Sequence, residues 1–504
     1  MGRQRAGNVG AIFAEAMDAY ARGRRGAARR LAKTLAEGWP AFGGTQYLLG
    51  LLALDGNQPR RAVEHLARAV AITPGQPAPH LALADALERC GDAAAAMDQC
   101  RTVLAADGDN AGAHARLGAL LLEAGRPAEA VRHLAAALAV RADWPSALNN
   151  FGLALHRLGR HDDAAAALGE AVARRPDHAG FRANLAASLR AAGRAEAARA
   201  EAEAATRADS AGLEAWLELG LAHQALGDGN GAVAAFERAA AVAPGSAHAQ
   251  WCLAEALRAA GAPERAAGHY RRCLDIDPDD RHGAQLGLAL AGGALPAKAP
   301  EAYVRQLFDE YAETFDTALV DGLGYRAPAL LAEALRRSLG ALADRDVADL
   351  GCGTGLAAPV LRPLARRLDG IDLSPAMVAK AAARGLYDDL AEGDVVAVLA
   401  ERPGRYDLVV AADVLVYLGD LGPVMAAAFA ACRPGGAFAF TVERAGEGGA
   451  AYELGAKSRY AHAPDYVRAA AAAAGFTVVL LEDAVTRRDS GAAVPGLVAV
   501  VRRA

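Results

Sequence analysis

An acid and three glycines stand together in Asp349-Leu350-Gly351-Cys352-Gly353-Thr354-Gly355, directly behind the apolar pair Val347-Ala348. Glycines in such a turn let a backbone approach a ligand closely, and a helix starting beyond it offers unpaired N–H groups. The spacing is Gly-x-Gly-x-Gly, with Leu356 where a dinucleotide loop carries its third glycine, which argues against a nicotinamide-dependent oxidoreductase. Further on, Gly370-Ile371-Asp372-Leu373-Ser374 ends a second apolar run on an acid, 17 residues beyond Gly355. A carboxylate at that point can accept both hydroxyls of a ribose. Glu392-Gly393-Asp394 adds a third acid, able to receive an exocyclic adenine amine, with capping of a helix as the other use of Asp394.

For these groups to converge, the apolar runs must be strands of one sheet. Val347–Leu350, Leu368–Leu373, Tyr406–Ala411, Ala437–Val442, Thr477–Leu481 and Leu497–Val501 have strand character and are separated by helix-compatible stretches. That alternation predicts a mostly parallel, Rossmann-like α/β sheet with its ligand at the carboxyl ends of the strands. Two further segments carry candidate side chains. Tyr303 to Asp316 holds four of the chain's few aromatics, and a ring of Tyr303, Tyr311 or Phe315 set against a cation contributes about 0.5 to 2 kcal/mol. Packing of the rings of Tyr303, Phe308 and Tyr311 on the sheet is the competing use. Lys457-Ser458-Arg459-Tyr460-Ala461-His462 is expected to be a loop, with Arg459 as a substrate contact and Tyr460 and His462 as catalytic candidates. Tyr417 and Glu443, which follow strand ends, are candidates on the substrate side.

The preceding residues obey a different rule. Gly91, Gly125, Gly159, Gly193, Gly227 and Gly261 recur every 34 residues, Ala96, Ala130, Ala164, Ala198, Ala232 and Ala266 move with them, and Pro74, Pro176, Pro244 and Pro278 share a third position. In the clearest unit, Pro145 to His178, Gly152 allows close helix contact, Gly159 turns, Ala164 packs and Pro176 closes. Eight such windows fit from Val9 to Asp280, the first degenerate, with Arg281 to Ala291 as a terminal capping helix. Each unit is a helix pair that cannot bury its apolar face alone, so stacking makes an all-α solenoid with one concave surface. Gly292 to Pro300, holding two glycines and two prolines, has the composition of a boundary. The expected organisation is a repeat array over 1–291, a linker over 292–300 and an α/β domain over 301–504.

The 34-residue unit resembles a tetratricopeptide repeat. That resemblance directs Tyr47, Leu81, Asn149, Arg190, Leu217 and Trp251 into the concave face, where a protein or peptide partner is expected. A scaffold that holds or dimerises the second domain is the alternative. The ordered acids and glycines of the second domain resemble the class I S-adenosylmethionine-dependent methyltransferases. Carried over, the resemblance implies Asp349, Gly351, Gly353 and Gly355 at the methionine end of the cofactor, Asp372 at the ribose and Asp394 at the adenine, with Tyr303 and Tyr311 as covering rings. The segment from Tyr303, with Leu323-Gly324-Tyr325-Arg326-Ala327-Pro328, also resembles a bacterial group of tetratricopeptide-repeat methyltransferases. The implied activity is methyl transfer from S-adenosylmethionine to an unidentified small-molecule or protein acceptor. In-line displacement needs alignment more than a fixed catalytic residue, and His462 is the candidate base where the nucleophile must lose a proton. A repeat adaptor with a non-catalytic second domain is the rival from another class.

Composition narrows the field further. A formal net charge of −5 gives no field to gather nucleic acid. Six cysteines without a paired C-x-x-C or a histidine cluster indicate neither zinc nor a disulfide framework, which suits a cytoplasmic protein. Glu15 and Asp18 interrupt the only apolar stretch near the amino terminus, so neither a signal peptide nor a membrane span is expected.

Overall fold

The computed structural model describes residues 2–313, 315–317, 319, 325–446, 448–489 and 492–504. Leu323 and Gly324 of the segment quoted above lie outside the described residues. Packing divides the chain into two compact units, Met1–Ala235 and Phe236–Ala504.

In the first unit helices alternate at the expected period. First helices of successive pairs begin at Gly43, Pro77, Ala111, Pro145, Ala179 and Leu213, and second helices at Arg25, Pro59, Ala93, Pro127, His161, Ala195 and Gly229. The turn inside each pair needs one residue in the left-handed region, and Gly91, Gly125, Gly159, Gly193 and Gly227 adopt φ between 72 and 85°. Gly23 and Asn57 also adopt left-handed backbone, two units and one unit before Gly91, so the first pair is in register, and a short polar side chain replaces glycine in the second. The small residues set the helix spacing: a Cβ on Gly152 would lie 2.6 Å from Leu168 Cγ, and one on Gly118 equally close to Leu134. Ala96, Ala130, Ala164, Ala198 and Ala232 are buried beneath the neighbouring helices.

A polar contact repeats with the same period. Gln46–His65, His80–Gln99 and His114–His133 join the two helices of a pair across 19 residues at 2.8 to 2.9 Å, and Arg182–Glu201 does so as an ion pair. The same first-helix side chains donate back to the carbonyls of Pro40, Pro74, Gly108 and Pro176, satisfying groups left by the preceding helix. Among the residues expected to face a partner, Asn149 is buried and accepts from Asn184 Nδ2 at 2.8 Å, and Arg190 pairs with Glu218 at 3.1 Å. Tyr47, Leu81 and Leu217 are half-buried.

The second unit starts inside the helix Gly229–Val242 and carries the helices Ala247–Ala259 and Pro263–Ile276, then the short helix Ala284–Leu290 where the cap was expected. Trp251, on the first of these, is half-buried. The stretch with linker composition is stitched down. Gly419 and Asp420 both donate backbone N–H to Ala297 O at 2.8 Å, Ala299 N–H donates to Tyr417 O at 2.8 Å, and Ala299 is buried.

The α/β domain contains β1 (Arg345–Leu350), β2 (Ala365–Asp372), β3 (Asp389–Glu392), β4 (Tyr406–Ala411), β5 (Cys432–Arg444), β6 (Tyr452–Leu454), β7 (Tyr460–His462), β8 (Phe476–Asp489) and β9 (Ala492–Arg503). The parallel part runs β3-β2-β1-β4-β5. Strand β9 lies antiparallel on β5 and β8 on β9, while β7 pairs with the end of β5 and β6 with β7. Alternate side chains feed two cores: Leu350, Ile371, Val409 and Phe438 on one face, Val347, Leu368, Leu408 and Val410 on the other. The order turns between β1 and β4, the switch point beside which ligands bind in open sheets. The segment Lys457–His462, expected as a loop, instead ends in β7, because it completes a small hairpin with β6 against β5. No helix among the described residues is long and apolar enough to cross a membrane.

Candidate functional site

A cleft opens at the carboxyl ends of β1, β2 and β4. Its walls include Asp349, Gly351, Gly353, Asp372, Asp394, Asp413, Tyr417 and Arg459.

The loop after β1 reverses on glycines. Gly351 has φ 58°, and a Cβ there would sit 2.4 Å from Val414 Cγ2; Gly353 has φ 54° and lies under the Phe315 ring. Gly353 N–H donates to Asp372 Oδ2 at 2.8 Å, and Ser374 N–H to Asp372 Oδ1 at 2.9 Å, so β2's terminal acid braces the loop. Burial raises the Asp372 pKa, opposed by these backbone donors. Asp349 is more deeply enclosed. Burial pushes its carboxyl up to about 7, opposed by the Tyr387 hydroxyl that donates to it at 2.6 Å and reinforced by neighbouring Asp372. Gly355, φ 88°, is not part of the cleft wall; it turns the chain beneath Arg384 and Tyr387. The helix that follows, Ala358–Leu361, is only 4 residues long.

Asp394 takes the capping use foreseen for it with one oxygen and turns the other toward the cleft. Its Oδ1 caps the helix Val395–Ala400 by accepting from Val396 and Ala397 N–H at 3.0 Å, and its Oδ2 lies 3.5 Å from Lys298 Nζ. Lys298 also reaches Glu301 at 2.5 Å. Burial pulls the Lys298 pKa down, but Glu301 and Asp394 together carry it above the ordinary lysine value.

The opposite end of the cleft is aromatic and ionic. Phe308 meets Phe315 and Tyr417 edge to face, with centroids 5.9 and 5.5 Å away. Asp413 takes φ 60°, donates its N–H to Thr441 Oγ1, and receives Arg487 Nη1 at 2.5 Å. Arg487 is itself buried and also binds Glu443, so it holds two carboxylates together. Arg459 stands 3.9 Å from both acids and 5.9 Å from the Tyr417 ring centroid. The Tyr325 hydroxyl donates to Ala412 O at 3.2 Å.

Four candidates lie elsewhere. Tyr303 packs on Gly283 and joins Leu286, Val416 and Tyr460, because its helix faces the end of the repeats at that point. Tyr311 is half exposed and outside the wall. Tyr460 is fully buried and donates to Pro296 O at 2.8 Å. His462 is equally buried: Nε2 faces Leu418 O at 2.9 Å and Gly419 O at 3.2 Å, Nδ1 has no partner, and burial holds the ring down to about 4. A neutral imidazole spent on two carbonyls supports the loop carrying Tyr417 and cannot reach a substrate. The sequence does not single out Lys298, Asp413 or Arg487, and Tyr325 enters only within the segment Leu323 to Pro328. Only the placement of Asp413 after a strand hinted at a role, since the others arrive from distant segments.

A parallel sheet thus brings a glycine turn and four aspartates, Asp349, Asp372, Asp394 and Asp413, to one switch-point cleft. Residues 348–438 match the methyltransferase domain family, residues 13–77, 47–111, 149–212 and 217–281 match one tetratricopeptide repeat family, and 89–150 match another. The chain therefore joins tetratricopeptide repeats to a methyltransferase domain. It is 37% identical over 99 residues to a probable S-adenosylmethionine-dependent methyltransferase of Mycolicibacterium smegmatis, covering 19% of this chain and 37% of that one. Over 108 residues it is 38% identical to a ubiquinone biosynthesis O-methyltransferase of Methylobacterium sp., 20% of this chain and 43% of that one. The chain thus spans under half the length of these relatives. Among solved structures, the Cut9–Hcn1 tetramer of the APC/C is similar at 16% identity over 48% of each chain, with a TM-score of 0.44.

Proposed function

We propose that the chain binds S-adenosylmethionine and transfers its methyl group, while the repeats hold a protein partner that delivers or is the acceptor. The observation that carries this reading is the convergence of Asp349, Asp372 and Asp394 on one cleft with the Gly351–Gly353 turn. Ionised carboxylates only accept hydrogen bonds, and the cofactor presents donors at the matching places: an ammonium, a ribose diol and an adenine amine. A dinucleotide pyrophosphate would meet like charge along the same wall.

In this reading Asp349 and the loop backbone hold the amino-acid end, Asp372 the ribose and Asp394 the adenine. When bound, the cofactor supplies an electrophilic methyl on a sulfonium. Phe308, Phe315 and Tyr417 then exclude water from the acceptor end, and alignment supplies most of the acceleration. Arg459 and the Asp413–Arg487–Glu443 cluster face the acceptor, and His462 has no part in proton transfer. The O-methyltransferase names of several relatives make oxygen nucleophiles the first class to screen. The six cysteines form no disulfide among the described residues, which suits a reducing, cytoplasmic setting.

Calorimetric titration of S-adenosylmethionine and S-adenosylhomocysteine into the full chain and into Asp372→Ala tests the proposal. Micromolar binding abolished by the substitution supports it. A wild-type chain that binds neither ligand returns the protein to the adaptor class.

A further inference from the structure

We propose that Lys298 is a cofactor-binding residue that reads the adenine ring jointly with Asp394, donating to ring N1 while Asp394 accepts from the exocyclic amine. The proposal rests on the methyltransferase reading and adds a residue from outside the sheet to its adenine end.

The backbone around Lys298 is fixed, whereas a surface lysine is usually carried on a loose loop. Pro296 O receives the Tyr460 hydroxyl, Ala297 O receives two N–H groups from Gly419 and Asp420, and Ala299 N–H donates to Tyr417 O. Lys298 itself bridges backbone to backbone with Leu418. These contacts seat its side chain at the cleft wall beside Asp394, Glu301 and Gly393.

The donor and acceptor inventory then selects the ligand. Asp394 Oδ1 is occupied by two backbone N–H groups of the helix it caps, which leaves Oδ2 as its acceptor toward the cleft. Lys298 Nζ lies 3.5 Å from that oxygen, too long for the charge-assisted bond of ~2.8 Å that a committed pair would form. Glu301, at 2.5 Å, anchors the ammonium from the other side and leaves further protons to direct inward. An acceptor and a donor side by side match a ring edge on which an amine donor adjoins a ring-nitrogen acceptor, as at N6 and N1 of the adenine that the proposed cofactor carries. A ring edge with a carbonyl beside an N–H, as in hypoxanthine, presents the opposite pattern to both groups. A simple surface ion pair would contribute little and would be indifferent to the base.

Calorimetry separates these cases with S-adenosylhomocysteine and its 1-deaza analogue, in which N1 is replaced by a C–H group. The wild-type chain should bind the analogue about tenfold more weakly, as expected for losing one hydrogen bond to a charged group. Lys298→Met should bind the natural compound about tenfold more weakly and should not distinguish it from the analogue, since each change removes the same contact. Equal binding of both compounds by the wild-type chain overturns the proposal without reference to any variant. So does a Lys298→Met chain that still discriminates as the wild type does. Failure of the wild-type chain to bind S-adenosylhomocysteine at all instead removes the cofactor reading beneath it.

Discussion

The enclosed carboxyl of Asp349 gives the cofactor reading a pH signature. Burial holds its pKa at about 7, so the group is mostly protonated at pH 5.5 and mostly ionised at pH 8. A ligand ammonium needs the ionised form. With that pKa, ionised carboxylate at pH 5.5 is about 30-fold scarcer than at pH 8, and affinity for S-adenosylhomocysteine should fall by a similar factor. Binding near pH 6 should also release close to one proton, because the ligand draws the carboxyl into its ionised state. The sign for folding is opposite: the folded pKa lies above the unfolded one near 4, so this carboxyl's contribution to stability is complete below pH 4 and lost as pH rises through 7. The assay is calorimetric titration from pH 5.5 to 8 in two buffers of different ionisation enthalpy. Asp349→Asn, which keeps the shape and a partner for Tyr387, should bind weakly and without this pH dependence. Affinity that is flat or falling from pH 5.5 to 8 in the wild-type chain, or binding without proton release, refutes the assignment.

Two further outcomes follow from particular packing. Gly351→Ala forces a left-handed backbone on alanine and drives its Cβ to 2.4 Å from Val414, which should cost about 1 to 3 kcal/mol in the stability of the α/β domain. Gly169→Ala, in the helix His161–Arg174 with nothing within 4 Å, should instead stabilise by about 0.5 to 1 kcal/mol; thermal melts of both variants check the contrast. His462 titrates near 4 in the folded chain against 6.5 unfolded, so the stability it confers when neutral is lost as pH falls from 6.5 toward 4. The wild-type α/β unfolding transition should therefore weaken relative to His462→Gln by about 3 kcal/mol across that range, while turnover keeps its pH profile; parallel stability curves exclude this account of the buried ring.

The repeat helices were legible because each depends on residues close in sequence. A glycine turn, a small residue at the contact and a proline past the second helix recur with the period that one helix pair imposes. Asn57 is invisible to a period carried by glycine, although asparagine tolerates the same backbone. Strand β3 was missed for a related reason: Asp-Leu-Ala-Glu at a sheet edge carries no run of apolar residues. The division of the chain was read from linker composition at 292–300, whereas packing alone divides it at Ala235. Glycine and proline mark a chain that leaves helix, and they say nothing of what Ala297 and Ala299 bind afterwards.

Within the site, the residues recoverable from sequence are those whose place follows from a strand's end. Asp349, Gly351, Gly353 and Asp372 are positioned by β1 and β2, and Asp394 by the cap of the next helix, so spacing along the chain sufficed to gather them. Side-chain direction does not follow from spacing. Tyr303, Tyr460 and His462 stand near chemistry in sequence, yet pack into neighbouring segments away from the cleft, and Tyr311 is half exposed outside its wall. Conversely Lys298, Asp413 and Arg487 come from segments up to 189 residues apart and converge only through β4, β5, β8 and the stitched linker. Sequence by itself determined the repeats, the Rossmann-like sheet and the acids at its carboxyl edge, since those are set by local periodicity and turn chemistry. Tertiary structure alone decided which rings and charges close the cleft, because burial and pairing are properties of distant segments brought into contact.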